Sequence, residues 1–459
     1  IPVELIERLE VIRGPGSAIY GANAFYAVIN LVTTKEEPEE STRIISKIGS
    51  NNTVQGTAII NRKTGQTGQL LVAGSIQHTE GPSQKITDRN GTEGNINYEQ
   101  GRKNLYLNYS RGPLGLKGFY NQEILGPFAG ISYYLNDRTL RKYSTIALEA
   151  STELDITKIW RLISKIYWDS FIYDCFWEYV PASILPPNGF ITDAYARDYR
   201  LGAEITAEAK FSDNHRLLIG LLNDFIGITD SRAEDNRADN GYHYAEVPGS
   251  WIANGKDRNY AFYAQDNYFV TQKLQLVLGM RYDNHTAYGD SWNPRTGITY
   301  RLKDKGYAKL LYGQAFRAPN NWDLYSNSAD QVKNPDLAPE KIQTLETEFN
   351  YAFFNNFVTR INFYHNTIYD LILKSIILVD GTETGTKKNL GKMEVNGIEA
   401  EIRGKLFSDD HKFNINGFYN QSRDVYHGED MFYIPDYGAV FLRNNHWTTG
   451  LNTNLQIRH

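Results

Sequence analysis

The sequence predicts an all-β protein whose antiparallel strands form a transmembrane β-barrel. Three observations support this prediction: segments that alternate apolar and charged residues, connections that are alternately short and long, and an aromatic-rich composition. Tyr, Phe and Trp number 32, 21 and 7, whereas Met and Cys number only 3 and 1. Such a composition suits strands and the aromatic girdles of membrane barrels better than helices.

The alternation separates two faces along several segments. In residues 273–283 one face is apolar and the other polar or charged: Leu274, Leu276, Leu278, Met280 and Tyr282 against Lys273, Gln275, Arg281 and Asp283. Residues 200–211 and 396–406 follow the same pattern. A soluble antiparallel sheet also shows it, so alternation alone favours a soluble sandwich or propeller.

The lengths of the connections favour the membrane barrel instead. Short connections are predicted at 63–67, 111–115, 153–158, 212–214, 271–272, 303–305, 355–356, 408–410 and 447–449. Long ones are predicted at 79–103, 123–142, 169–199, 227–258, 317–341 and 371–390. Short turns at one rim and long loops at the other are typical of outer-membrane barrels. A propeller would repeat about every 40–50 residues, and the sequence has no such repeat.

The opening stretch differs from the barrel segments. Between Glu7 and Thr34 it combines alternating charges, the Gly14-Pro15-Gly16 turn, a second glycine at Gly21 and a β-branched run. The simplest interpretation is a β-turn-β corner. Residues 35–40, KEEPEE, are then a charged linker with a proline that a strand cannot contain centrally.

This stretch resembles the end of the plug domain of TonB-dependent outer-membrane receptors. The matching residues are Glu7, Arg8, Glu10, Val11, Ile12, Arg13, Gly14, Pro15, Tyr20, Gly21, Val28, Ile29, Asn30 and Thr33. Phe25-Tyr26-Ala27 departs from the pattern, because small glycine-rich residues are commoner there in the family.

A second block at 312–340 resembles the F-R-A-P and N-P-x-L signatures of the same family. It is carried by Phe316, Arg317, Ala318, Pro319, Asn334, Pro335, Leu337, Pro339 and Glu340. The prolines would also end a strand and begin a loop without any such relationship. A shorter echo is Asn396-Gly397-Ile398-Glu399, which resembles a G-I-E strand start.

The resemblance implies a domain organisation and a complete strand number. Residues 1–40 would be the C-terminal remnant of the plug and its linker, and residues 41–459 the barrel. About 19 strands can be counted, whereas receptors of this type have about 22. We therefore expect a fragment that lacks the signal peptide, most of the plug and the last strands.

Composition and motifs exclude other functions. The net charge of −5 and the absence of a basic cluster argue against nucleic-acid binding. No apolar run of about 18 residues predicts a membrane-spanning helix. The motifs H-E-x-x-H, C-x-x-C and G-x-S-x-G are absent, so we expect no enzyme activity, catalytic residue, metal ligand or cofactor. Asp88-Arg89-Asn90-Gly91 and Glu234-Asp235-Asn236 faintly suggest calcium loops, but such clusters are usually solvated turns.

Aromatic residues in the predicted long loops are the candidate ligand-binding residues. They are Trp177, Tyr179, Phe190, Tyr242, Tyr244, Trp251, Trp322 and Tyr325. Exposed aromatic rings can enclose a poorly hydrated ligand. The alternative is that they belong to the membrane-interface belt or pack loop against loop.

The family resemblance also implies a mechanism and a cargo. A receptor of this type binds a scarce nutrient at the bacterial outer membrane, and TonB, acting on a plug segment upstream of Ile1, drives import. Ferric siderophore ranks first and cobalamin second. Haem ranks lower because residues 320–333 contain no His, and saccharide importers usually have larger barrels. The expected partners are membrane lipid, TonB and a small metal chelate.

Two functions of other classes stay open: a passive porin, and a soluble β-rich enzyme or adhesin. Within the receptor interpretation, Glu7, Glu10 and Arg13 suit a polar lumen lined by Glu399, Glu401 and Arg403. We expect Arg13 to hold the plug to carboxylates of the barrel wall.

Overall fold

The fold is described from a computed structural model of the chain. The residues described are 1–459 except 35–39, 237–244, 247–251, 253–254, 304, 327–330, 354–355, 380, 407, 409, 431–433 and 448. In this part of the chain, no helix is long and apolar enough to cross a membrane.

The described residues form 24 strands and two short α-helices. The chain begins with a 3-10 helix (Val3–Leu5), and the elements outside the main sheet that follow it are β1 (Ile6–Arg13), α1 (Ser17–Tyr20), β2 (Ala27–Thr33), β6 (Lys85–Thr87) and β7 (Glu93–Asn95). The first half of the main sheet comprises β3 (Ser41–Gly49), β4 (Thr53–Thr64), β5 (Gly68–Thr79), β8 (Gln100–Arg111), β9 (Leu114–Leu125), β10 (Leu140–Asp155), β11 (Trp160–Val180), β12 (Phe190–Ser212), β13 (His215–Asp235) and the two-residue β14 (Ala245–Glu246). The second half comprises β15 (Lys256–Phe269), β16 (Leu274–His285), β17 (Gly289–Arg301), β18 (Gly306–Arg317), β19 (Glu340–Phe353), β20 (Phe357–Val379), β21 (Thr382–Lys405), β22 (His411–Asp424), β23 (Tyr437–His446) and β24 (Asn452–Arg458), with α2 (Asn321–Tyr325) between β18 and β19.

The main sheet is a barrel of 19 long antiparallel strands, so the predicted fold class and strand number are confirmed. Each long strand pairs with the next one along the chain, as expected for successive hairpins. Paired register among the described residues runs without interruption from β3 through to β24, and these two end strands are largely exposed.

The apolar face of the strands points outward and the charged face points into the barrel. On β16, Leu278 is 53% exposed, whereas Arg281 and Asp283 on the opposite face are 3% and 1% exposed. This is the reverse of a soluble protein, in which the apolar face would be buried. The soluble sandwich that alternation alone favoured is therefore wrong, because hydrophobic periodicity does not report which face meets solvent.

The strands on either side of each of the nine predicted short connections pair with each other, as predicted, although residues 304, 355, 409 and 448 of these connections lie outside the described residues. Two predicted long loops are wrong. β11 and β12 continue through most of 169–199 and leave only 181–189 as a loop, and β20 and β21 continue through most of 371–390. These hairpins extend beyond the apolar part of the barrel. On β11 and β12 both faces become polar or aromatic there, so the apolar alternation disappears although the backbone ladder continues. On β20, residues 371–379 are mostly aliphatic on both faces, so alternation is again lost while the ladder with β21 continues.

Residues 1–34, the N-terminal segment, lie inside the barrel. β1 and β2 form a separate two-stranded antiparallel sheet with Arg13 opposite Ala27. On one side, Glu4 accepts a hydrogen bond from Gln55 of β4 at 3.0 Å. On the opposite side, α1 packs against β15, β16, β17 and β18. The segment therefore spans the lumen.

Candidate ligand-binding cavity

A cavity of about 970 Å³ lies between α1, the outer parts of β11 to β16, and α2. This is within the size range of small-molecule binding sites. Aromatic residues form one wall, and polar residues of neighbouring strands form the floor next to α1. The wall lies on the outer ends of β11, β12 and β13, whose pairing continues to Val180, Phe190 and Asp235.

The aromatic wall is held in place by contacts among its own side chains. Trp177 donates a hydrogen bond from Nε1 to the Tyr173 hydroxyl at 2.8 Å. Tyr179 and Phe190 stack with ring centroids 5.0 Å apart. Ala194 and Ala233 pack beneath Tyr173 and Trp177, and their small side chains leave room for the larger rings. The wall thus presents rigid apolar surface to the cavity.

The floor contains a row of three buried polar residues, one from each of three neighbouring strands. Asp224 of β13 lies opposite Asn259 of β15, which lies opposite His285 of β16. All three line the cavity, and none is more than 7% exposed. The Tyr167 hydroxyl donates to Asp224, and His285 Nδ1 accepts from the Ala287 N–H at 3.1 Å. Asn259 Oδ1 has no hydrogen-bond partner.

Three arginines line the cavity, Arg197, Arg200 and Arg281, and the last two are each paired with a carboxylate outside its lining. Arg281 donates from Nε to Asp283 Oδ2 at 2.8 Å, and Arg200 donates to Asp169 at 2.8 Å. Arg281 also donates from Nη1 to the backbone carbonyl of Ile19 at 3.1 Å. Arg200 and Arg281 therefore bind carboxylates of the barrel strands, and Arg281 also binds α1.

The F-R-A-P block joins the barrel to the N-terminal segment. The Asn23 N–H donates to the Phe316 carbonyl at 2.9 Å, and the Ala318 N–H donates to Asn23 Oδ1 at 3.2 Å. Phe316 itself is fully buried, and its N–H donates to Ser17 Oγ at 3.3 Å. The side chain of Pro319 lies beside these bonds, where it lines the cavity.

The helix α2 follows this block and is fixed by charged groups. Asn320 caps the helix by accepting from the Asp323 N–H at 2.8 Å. Arg317 and Lys387 both donate to the Asp323 carboxylate. Burial alone would raise the pKa of Asp323, but the bonds from Lys387 and the Asn320 backbone and the charge of Arg317 together lower it. Asp323 is therefore ionised when it holds α2.

The N-P-x-L block anchors the next connection to β21. Asn334 donates from Nδ2 to the Lys387 carbonyl at 2.8 Å and accepts from the Asp336 N–H at 3.1 Å. Pro335 lies between these two residues, and Leu337 is buried. The block thus holds the chain that returns from α2 to β19.

The residues of the opening motif do not form one site: some contact the barrel wall, some pair with each other, and Tyr20 lines the cavity. Arg13 pairs with Glu399 of β21, whereas Arg8 pairs with its neighbours Glu7 and Glu10. Gly14 has a positive φ and approaches Glu346, and Pro15 packs against Gly313 of β18. Tyr20 lines the cavity. The Gly21 Cα lies so close to Arg281 that a Cβ there would be 2.8 Å from Nη2.

The eight aromatic candidates for ligand binding lie in different positions relative to the cavity. Trp177, Tyr179, Phe190 and Trp322 line the cavity, although the first three lie on strands and not in the predicted loop. Tyr325 lies on α2 and donates from its hydroxyl to Asp257 at 3.3 Å. Tyr242, Tyr244 and Trp251 lie outside the described residues.

Sequence reasoning missed Asp224, Asn259 and His285. Each occupies the polar face of an alternating strand, like many other residues of the lumen. Their shared position arises from register across three strands, which alternation within one strand does not reveal.

Asp88 organises a turn. Its Oδ1 accepts from the Asn90 and Thr92 N–H groups at 2.9 and 2.8 Å, and its Oδ2 accepts from the Leu135 N–H at 3.2 Å. Within the described ranges, no group of three or more His, Cys, Asp or Glu residues is placed to hold a metal ion. These contacts support the turn-forming interpretation of this loop.

Comparison with known proteins identifies the family. The family model described as TonB dependent receptor-like, beta-barrel, matches residues 80–458. The chain belongs to this family. The match covers the TonB-dependent receptor barrel from the loop after β5 to the end of β24.

Two curated relatives illustrate the range of cargo. The vitamin B12 transporter BtuB of Vibrio vulnificus is 26% identical over 81% of this chain and 56% of its own length. The probable TonB-dependent siderophore receptor PirA of Acinetobacter baumannii is 23% identical over 95% of this chain and 66% of its own length. The chain thus spans less than two thirds of the length of each.

Solved structures agree on the fold. The siderophore receptor PirA of Acinetobacter baumannii matches with a TM-score of 0.75 and 18% identity, over 100% of this chain and 73% of that one. The ferric enterobactin receptor PfeA of Pseudomonas aeruginosa, as a mutant in complex with enterobactin, matches with a TM-score of 0.77 and 18% identity, over 100% and 74%.

Proposed function

We propose that this protein is a TonB-dependent uptake receptor of the bacterial outer membrane, and that it imports a ferric siderophore. The observation that carries the proposal is the family match across the barrel, residues 80–458. The cavity of about 970 Å³ between the outer hairpins and the N-terminal segment supports it, since a receptor must bind its cargo before the path opens.

The outward apolar face supports the membrane location. Leu148, Ile166, Leu221, Leu278 and Leu345 lie on different strands and are all strongly exposed. Exposed apolar surface on this scale is unfavourable in water but suits the hydrocarbon core of a bilayer.

In this function the N-terminal segment acts as the last part of a plug. It contacts the barrel wall on opposite sides of the lumen. TonB would displace the plug, and the contacts at Arg13 and Asn23 would then have to break. The Arg13–Glu399 pair is exposed and would break at modest cost.

Growth of deletion cells tests the proposal. Cells lacking the gene should fail to use one or more ferric siderophores as sole iron source, and the intact gene should restore growth only when TonB is present. Growth on every siderophore by deletion cells would contradict siderophore import by this protein.

Two tryptophan variants test whether the ligand binds in this cavity. Trp177→Ala removes a ring that lines the cavity and should lower ligand affinity about tenfold or more, as for other buried aromatic contacts. Trp160→Ala is the control, because Trp160 lies on the same strand but packs against Phe211 outside the cavity. Equal affinities for the two variants would argue against this cavity as the binding site.

Cobalamin is the second candidate cargo, favoured by the 26% identity to the vitamin B12 transporter. Growth of the same deletion cells on limiting cobalamin separates it from siderophore import. A passive porin is the alternative from another class. Planar-bilayer conductance distinguishes it, because an obstructed lumen should be nearly closed.

A further inference from the structure

The charges of the cavity floor are unequally compensated. Arg200 and Arg281 are bound to Asp169 and Asp283, neither of which lines the cavity. The Asp224 carboxylate, in contrast, accepts a hydrogen bond from the Tyr167 hydroxyl. Among the described residues it has no ion-pair partner within 4.0 Å. The floor therefore contains a buried carboxylate without its own bound cation.

A second carboxylate in the floor, Asp257, is only partly buried but also lacks a bound cation. Asp257 accepts from the Thr286 hydroxyl at 2.8 Å and from the Tyr325 hydroxyl at 3.3 Å, and the described part of the chain supplies no cation bonded to it. Counted with Asp169 and Asp283, four carboxylates face the two arginines, so the floor has a net negative charge. Nearer the rim, Arg197 and Lys374 are matched in number by Asp198 and Asp235.

Asn259 presents an unpaired hydrogen-bond acceptor in the floor. It stands directly opposite Asp224, is 7% exposed, and its Oδ1 accepts no hydrogen bond. A buried acceptor without a donor is costly. A ligand that brings N–H donors and positive charge to this point would compensate both Asn259 and Asp224.

A bare metal ion does not suit this position. The described residues include no cluster of three or more His, Cys, Asp or Glu side chains placed to hold one. An organic cation needs fewer protein ligands, since an ammonium group carries three N–H donors. The aromatic wall of the same cavity would accept the rest of such a ligand, and ring faces also attract cations.

We propose that the cavity floor, formed by Asp224, Asp257 and Asn259, recognises a protonated amine on the cargo. The cargo would then be a neutral iron(III) chelate core with a pendant ammonium group, and not a polyanionic chelate. This proposal rests on the proposed siderophore function. The cation would lie at Asp224 and Asn259, with the chelate against Trp177 and its neighbours.

Binding of three iron(III) complexes tests the proposal with the purified full chain in detergent, by quenching of tryptophan fluorescence. The first is the complex of desferrioxamine B, which carries a free ammonium group. The second is its N-acetylated form, which keeps the chelate but loses the charge. The third is a trianionic tris(catecholate). The cationic complex should bind at least tenfold tighter than the acetylated one, and the trianion should bind weakest.

Substitutions locate the effect. Asp224→Asn keeps an acceptor for Tyr167 but removes the charge, and should lower affinity for the cationic complex about tenfold while changing affinity for the acetylated complex less than threefold. Asn259→Leu should act in the same direction. Asp266→Asn is the control, because Asp266 lies on β15 but pairs with His215 away from the cavity.

The outcomes separate this inference from the proposed function. Equal binding of the cationic and acetylated complexes, or tighter binding of the trianion, would overturn the inference and leave siderophore import standing. Failure of all three complexes and of a wider siderophore panel to bind would overturn both. Because the ligand comparison uses the unmodified protein, it decides the question even if Asp224→Asn does not fold.

Discussion

The N-terminal segment meets the barrel at two interfaces that differ in character. The α1 interface consists of Ser17, Asn23 and Ile19 against Phe316, Ala318 and Arg281; it is largely buried and uses backbone groups. The β1 interface is the Arg13–Glu399 ion pair, whose side chains are 52% and 36% exposed. Burial makes the first interface specific and costly to break, whereas water weakens the second. In a segment that must stay bound in the lumen and still be displaced, the α1 interface would supply stable binding and the β1 interface would separate easily.

Arg281→Leu should cause the largest loss, because it leaves Asp283, which is 1% exposed, as an uncompensated buried charge and removes the bond to Ile19. Breaking one side of a buried pair costs about 3–5 kcal/mol. Thermal unfolding in detergent should show a clear fall in Tm. The Arg281→Leu/Asp283→Leu double variant should recover part of this loss, and a single variant as stable as the wild type would contradict the role given to the α1 interface.

Two substitutions of Asn23 separate the contributions of backbone strain and of its hydrogen bond to the α1 interface. Its φ of 70° is unfavourable for Ala, so Asn23→Ala should cost about 2 kcal/mol from backbone strain and the lost bond to Ala318. Asn23→Gly loses only the bond and should cost about 1 kcal/mol. Hydrogen exchange of residues 14–24 measures the difference, and identical exchange in both variants would show that strain plays no part.

Arg13→Gln should change stability by at most about 1 kcal/mol, since exposed ion pairs contribute little. The effect should also shrink at high salt, because exposed charges are screened. Limited proteolysis of the N-terminal segment at low and high salt checks this. A salt-independent loss as large as that of Arg281→Leu would show that the β1 interface is the stronger of the two.

Protonation of Asp323 at acid pH should have the smallest of these effects, at α2, which follows the F-R-A-P block of the α1 interface. Because the pKa of Asp323 is lowered in the folded protein, its stabilisation of α2 is present above the ordinary carboxyl pKa and is lost as pH falls through the lowered value. Tryptophan fluorescence from Trp322 should therefore change at low pH. Asp323→Asn should abolish that transition, and its persistence would assign it to another group.

The family motifs and the strand count were predictable because they depend on local properties. Glycine, proline and alternation act within a few residues, and the segments around Arg13 and Phe316 carry enough of them to be recognised. The extended hairpins were not predictable from alternation. At the level of Trp177 and Phe190 the strands have left the apolar layer, so backbone pairing continues without a hydrophobic period.

The all-β architecture, the succession of hairpins and the family could be read from the sequence, since all three depend on short-range residue patterns. The three-dimensional structure was needed to show that the charged face of each strand points into the barrel, and that Asp224, Asn259 and His285 form one row. The physical reason is that strand pairing joins residues distant in sequence, and register across the sheet places them together.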